Sequence, residues 1–80
     1  MKENLPSIPN FQEYERFLRA KEVIKMTGLS RSYLYSLAAE GLFPQSVPLV
    51  PGGKARAWVL SEVQDWLNQR ISDRDEEVQR

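Results

Sequence analysis

The 80-residue chain contains no cysteine and no histidine. Without thiolates or imidazoles it lacks the ligands of structural zinc, iron–sulfur and haem sites, and the side chain that most often serves as general base near neutral pH. Its acidic residues form no paired arrangement to replace them, so the sequence reads as a non-enzyme needing no cofactor and no metal. No apolar run approaches the roughly 20 residues needed to cross a bilayer, and the opening "MKENLPSIPN" lacks an apolar signal-peptide core. A cytoplasmic protein without a membrane partner is therefore expected. A chain of this size buries only roughly 60% of the surface of its unfolded form, enough for one compact core.

Net charge is absent as well, because 11 basic and 11 acidic residues cancel. The cancellation hides an uneven layout. Residues 1–16 balance at −1 and residues 59–80 at −3, whereas residues 17–58 balance at +4 through Arg19, Lys21, Lys25, Arg31, Lys54 and Arg56 against Glu22 and Glu40. A basic middle between acidic ends is the layout of a chain whose middle meets an anion.

Three parts follow from this organisation. Residues 1–15, with Pro6 and Pro9 and little periodicity, read as a flexible N-terminal arm. Residues 16–71 carry the helical and strand patterns of a folded domain, and residues 72–80 read as an acidic tail. Near the first boundary two readings stay open. Asn10 and Glu13 fit a capping box that opens a short helical turn with Phe11, Tyr14 and Leu18 on one side, and "RFLRA" at 16–20 fits a brief extended segment.

In "AKEVIKMT", residues 20–27, Ala20, Val23, Ile24 and Thr27 recur at helical spacing while Lys21, Glu22 and Lys25 point away. Gly28 is placed to stop that helix in the left-handed conformation, and Ser30 to accept the first free N–H groups of the next. The second helix, ending at Gly41, puts Leu34, Leu37 and Ala38 on one side. Ser32, Ser36 and Ala39 fall on the opposite side, with Tyr35 on one shoulder and Tyr33 on the other. "PGGK" at 51–54 joins two segments rich in valine, leucine and tryptophan and reads as a hairpin, with Pro48 confining its strand to an edge. Ser61 and Gln64 fit the cap of a third helix that carries Val63, Trp66, Leu67, Arg70 and Ile71 on one face and runs to about Ile71. Beyond it, "SDRDEEVQR" reads as either a frayed helical extension or a disordered acidic tail.

Two helices joined by a tight glycine turn and followed by a basic-tipped hairpin make the plan of a winged helix-turn-helix, mainly α with a small β-hairpin. The residue choices suit double-stranded DNA. Ser32, Ser36 and Ala39 are small where a helix would approach the duplex, and Arg31, Tyr33 and Tyr35 supply reach. Arg31 in the first turn costs about 0.3–1 kcal/mol against the helix dipole, so its placement suggests an external anion, and Ser30 beside free N–H groups suits a phosphate. Lys54 and Arg56, two residues apart in an extended segment, share a face. Trp58 has the same parity, yet its size argues for the core.

"FLRAKEVIKMTGLSRSYLYSLAAEGLFPQSVPLVPGGKARAW" followed by "EVQDWL" resembles the AlpA-like prophage regulatory proteins, small DNA binders related in fold to phage excisionases and to the DNA-binding part of MerR-type regulators. Carried over by position, the resemblance implies that Ser30, Arg31, Ser32 and Tyr35 lie on the DNA-facing helix, that Lys54 and Arg56 form the wing, and that Trp58 and Trp66 pack inside. Relatives often carry a basic residue where this chain has Ser36 and a small polar one where it has Tyr33, which leaves this face less cationic. The function so implied is sequence-specific DNA binding and transcriptional regulation in a phage, prophage or integrated mobile element. An excisionase-type factor that bends attachment-site DNA for an integrase is a second reading, and a protein-binding adaptor that uses Tyr33 and Tyr35 is a third. Neutralising about four phosphates gives a log–log salt slope of roughly −3.6, hence an affinity loss of about 150-fold between 50 and 200 mM salt. One copy would bind weakly in cells, so self-association or cooperative copies on DNA, and nucleoid association when bound, complete the expectation.

Overall fold

A computed structural model describes residues 16–78. The expected helical turn around Asn10 to Tyr14 lies outside the described residues. In chain order the elements are β1 (Phe17–Leu18), α1 (Ala20–Thr27), α2 (Arg31–Ala39), β2 (Val47–Pro48), β3 (Arg56–Val59) and α3 (Leu60–Val78). The strands form one antiparallel sheet in the order β1-β3-β2. Three helices on a small three-stranded sheet give a winged helix-turn-helix, as the sequence plan implies.

Of the two readings of "RFLRA", the extended one holds. Phe17 pairs with Val59 and Leu18 with Trp58, and the Leu60 N–H donates to the Arg16 carbonyl at 2.8 Å. Leu18 is therefore a strand residue, wholly buried, and not part of a helical face with Phe11 and Tyr14. Arg19 follows as the N-cap of α1, where the Glu22 carboxylate accepts its backbone N–H at 3.1 Å. Gly28 ends α1 at φ 78°, and its N–H donates to the Ile24 carbonyl at 2.8 Å. Thr27 ties the turn from both sides, its hydroxyl donating to the Val23 carbonyl and accepting the Leu29 N–H.

Leu18, Val23, Leu34, Phe43, Trp58 and Val63 form the core, one residue each from β1, α1, α2, β3 and α3 and Phe43 from the loop after α2. Full burial of each aliphatic side chain stabilises the fold by about 1.5–3 kcal/mol. Trp58 is central. It is fully buried, which separates it from the exposed Arg56 despite their shared parity, and its indole N–H donates to the Pro44 carbonyl at 2.9 Å.

The wing turns at residues 50–53. The Gly53 N–H donates to the Val50 carbonyl at 2.8 Å, and Gly52 takes φ 76° at the third position. This is a type II turn with Pro51 and Gly52 at the positions that favour proline and require positive φ. Gly53 serves a different need, because a Cβ there would sit 3.1 Å from the Val50 Cβ. Pro48 lies on the edge strand β2, opposite Arg56, in accord with its missing N–H.

α3 departs from expectation at both ends. It starts at Leu60, so Ser61 lies within its first turn and not at its cap, and it continues past Ile71 to Val78. The extension is held by local pairs. Asp73 accepts from Gln69 at 2.9 Å and pairs with Arg70, and Arg74 pairs with Asp75. The bonds of Asp73 to Gln69 and Arg70, four and three residues back, are the side-chain interactions that extend a helix once a packed portion has nucleated it.

Candidate nucleic-acid interface

Arg19, Ala20 and Lys21 at the start of α1, Arg31 and Tyr35 on α2, and Lys54 and Arg56 on the wing line one open cleft of about 290 Å³. Five of these seven side chains are cations, and among the described residues no acidic one joins them. Like charges gathered on one surface repel, and a polyanion laid across them relieves that repulsion. Guanidinium groups here suit charge-assisted bonds to phosphate oxygens.

Two arginines hold the cleft's walls together. The Arg19 Nε donates to the Arg56 carbonyl at 3.0 Å. Arg56 in turn donates from Nε to the Ser46 hydroxyl at 2.6 Å and from Nη2 to the Ser46 carbonyl at 3.1 Å. The cap of α1 is thus linked through β3 to the segment leading into β2, and the wing is fixed to the helical part. The sequence predicts Arg56 as a wing cation; the structure adds that its guanidinium is hydrogen-bonded to Ser46 at the surface. Behind the cleft Tyr35 leans on Trp58, ring centroids 5.6 Å apart at 56°, within the range of favourable aromatic pairs.

The structure brings Arg31, Tyr35, Lys54 and Arg56 together around the cleft. Ser30, Ser32, Tyr33 and Ser36 do not line it. Ser30 caps α2, its hydroxyl accepting the Tyr33 N–H at 3.2 Å. Ser32, Tyr33 and Ser36 are exposed on α2, as is Ala39, leaving a surface of small and aromatic side chains beside the cations. Sequence reasoning missed Arg19 and Lys21. Their only signal was the positive balance of residues 17–58, because helical periodicity classed Lys21 simply as solvent-facing.

A second groove is lined by the 41–45 loop and α3. Leu42, Phe43 and Trp66 line it with Glu62, Asp65 and Arg70 in a volume of about 730 Å³. Trp66 donates its indole N–H to the Leu42 carbonyl at 2.8 Å and meets Phe43 edge-on at 4.8 Å. The Arg70 guanidinium lies 5.2 Å over its ring. Among the described residues no helix is long and apolar enough to cross a membrane, and no cluster of acidic residues could hold a metal ion.

Comparison with known proteins gives two findings. The family model for the prophage CP4-57 regulatory protein, AlpA, matches residues 16–71. An uncharacterized protein, ORF88, of Enterobacteria phage P4 is 52% identical over 60 residues, which is 75% of this chain and 66% of that protein's length. No solved structure matches the chain.

Proposed function

The chain belongs to the AlpA family of prophage regulatory proteins, and from that premise we propose that it binds double-stranded DNA through the cationic cleft and the exposed side of α2. In this reading it acts as a sequence-specific transcriptional regulator of a phage, prophage or integrated mobile element. The observation that carries the reading is the convergence of five cations from three separate elements on one cleft without an acidic neighbour in its lining. In a protein of zero net charge such segregation favours a polyanionic partner.

The division of labour follows from the side chains. Arg19, Lys21, Arg31 and Lys54 hold the phosphate backbone, Ser30 adds its hydroxyl at the start of α2, and Ser32, Tyr33, Tyr35, Ser36 and Ala39 meet base edges in the major groove. Arg56 fixes the wing's pitch while adding its charge to the field.

Selection of bound duplexes from a random pool, followed by footprinting, tests this. A recovered consensus whose footprint centres on one major groove is expected. Failure to retain any duplex at 50 mM salt would overturn it. A circular-permutation mobility assay on the recovered site then separates regulator from excisionase: a large bend at an attachment site next to an integrase gene assigns the architectural role.

A further inference from the structure

The solvent side of α2 is unlike the cleft beside it. Ser32, Ser36 and Ala39 are exposed and, at 100° per residue, fall within about 60° of one another around the helix. Tyr33, 55% exposed, flanks them on the side away from the cleft. Tyr35 lies on the other flank, lining the cleft and leaning on Trp58. Arg31 stands about 80–140° round the helix from the three small residues, among the cations of the cleft. It is the only charged side chain within α2, whose sequence RSYLYSLAA holds no lysine, asparagine or glutamine.

Base edges in the major groove are told apart by few chemistries. Guanine, all acceptor, is read by arginine or lysine, adenine by the paired donor and acceptor of asparagine or glutamine, and thymine by apolar contact with its 5-methyl group. Serine and tyrosine hydroxyls both donate and accept, so they bond to any of these edges without choosing among them. What discriminates on this face is therefore apolar: the Ala39 methyl, the methylenes of Ser32 and Ser36, and the ring of Tyr33. Glu40, the C-cap of α2, lies about 40° from Ser36 around the helix. Its carboxylate accepts only, which disfavours guanine and suits the amine of adenine or cytosine.

Resting on the DNA reading above, we infer that α2 selects thymine: the pairs beneath Ser32, Tyr33, Ser36 and Ala39 are T·A pairs read through their 5-methyl groups. The cleft cations supply affinity for any duplex, and the methyl contacts supply the choice among them.

Replacing thymine by uracil removes that methyl and nothing else. In a duplex recovered from the random pool, with affinity read by fluorescence anisotropy, uracil at a thymine in the central major groove of the footprint should weaken binding about fourfold per position, the worth of one buried methyl. Uracil outside the footprint should change nothing. At such a pair, 5-methylcytosine·G should bind better than C·G, because it restores the methyl. The log–log salt slope should be the same for all these duplexes, since no phosphate contact is lost. Tyr33→Ala and Ala39→Gly should each erase the uracil penalty at one pair and leave the slope as it was. A duplex with uracil throughout that binds as tightly as its thymine counterpart overturns the inference and leaves the DNA reading standing, as does a consensus with guanines beneath the helix. Uracil penalties untouched by both substitutions place the methyls against another element and also overturn it. Failure to retain any duplex at 50 mM salt is a different result, which overturns the DNA reading and this inference with it.

Discussion

The two tryptophans make the same bond in opposite surroundings. Each donates its indole N–H to a carbonyl of the loop after α2, Trp58 to Pro44 and Trp66 to Leu42, so the loop is pinned from both sides. Trp58 is fully buried, and on its side Tyr35 and five cations form the cleft. Trp66 is half-buried under Arg70, beside a groove edged by Glu62 and Asp65. One scaffold thus presents a cationic face and a mixed apolar and acidic face, and the segregation of charge between them is what a net charge of zero conceals.

The strongest way to break this comparison is to remove each ring. Trp58→Ala should destabilise the domain by about 3–5 kcal/mol, enough to abolish a cooperative thermal transition in circular dichroism. Trp66→Ala, starting from a half-buried ring, should cost roughly half as much and leave a measurable transition. Equal losses would mean that the two sites do not differ as their burial implies.

Charge distinguishes the faces next. Arg19→Gln and Lys21→Gln should each lower the magnitude of the log–log salt slope for DNA binding by about 0.9, read by fluorescence anisotropy on a labelled duplex. Glu62→Gln, on the other face, should leave the slope unchanged. A smaller effect is expected at the wing. Gly52→Ala, forced to keep φ near 76°, should cost about 1–2 kcal/mol, seen as a lowered melting temperature.

The smallest effect concerns pH at the end of α3. Hydrogen bonds from Gln69 and then Arg70 hold the Asp73 carboxyl below the ordinary aspartate range. Because its pKa is lower in the folded helix than in an unfolded chain, its contribution is complete above about 3.8 and is lost as pH falls through the lower folded value. Amide exchange at residues 70–78 should rise over that acid window, and Asp73→Asn should remove the dependence. Amides around Trp58 should show no such step.

Much of this was legible in the sequence because local chemistry is strong there. The stripe of α1, Gly28, the Ser30 cap, the wing turn and the burial of Trp58 all follow from residues acting on near neighbours. What was less legible depends on distant ones. β1 has two residues, too few for a period, and exists because Val59 and Trp58 of the distant β3 pair with Phe17 and Leu18. Arg19 and Lys21 enter the cleft because the wing folds back toward the start of α1. Arg56 is tied to Ser46 at the surface because Ser46 lies across the hairpin, a pairing no spacing rule reveals. α3 passes Ile71 with only Val78 to continue its apolar side, carried by Asp73 with Gln69 and Arg70.

Because β3 runs between β1 and β2, the order in which the chain leaves a ribosome matters. Both helices of the helix-turn-helix emerge before the strand that joins them to β1, and until Trp58 and Val59 are free, Leu18 has no partner and Arg19 no carbonyl to bind. A growing chain truncated after α2 therefore holds that helix without the sheet that positions it. The cationic cleft is thus completed late in synthesis, with closure of the sheet, and an incomplete product lacks the surface on which the proposed DNA binding depends.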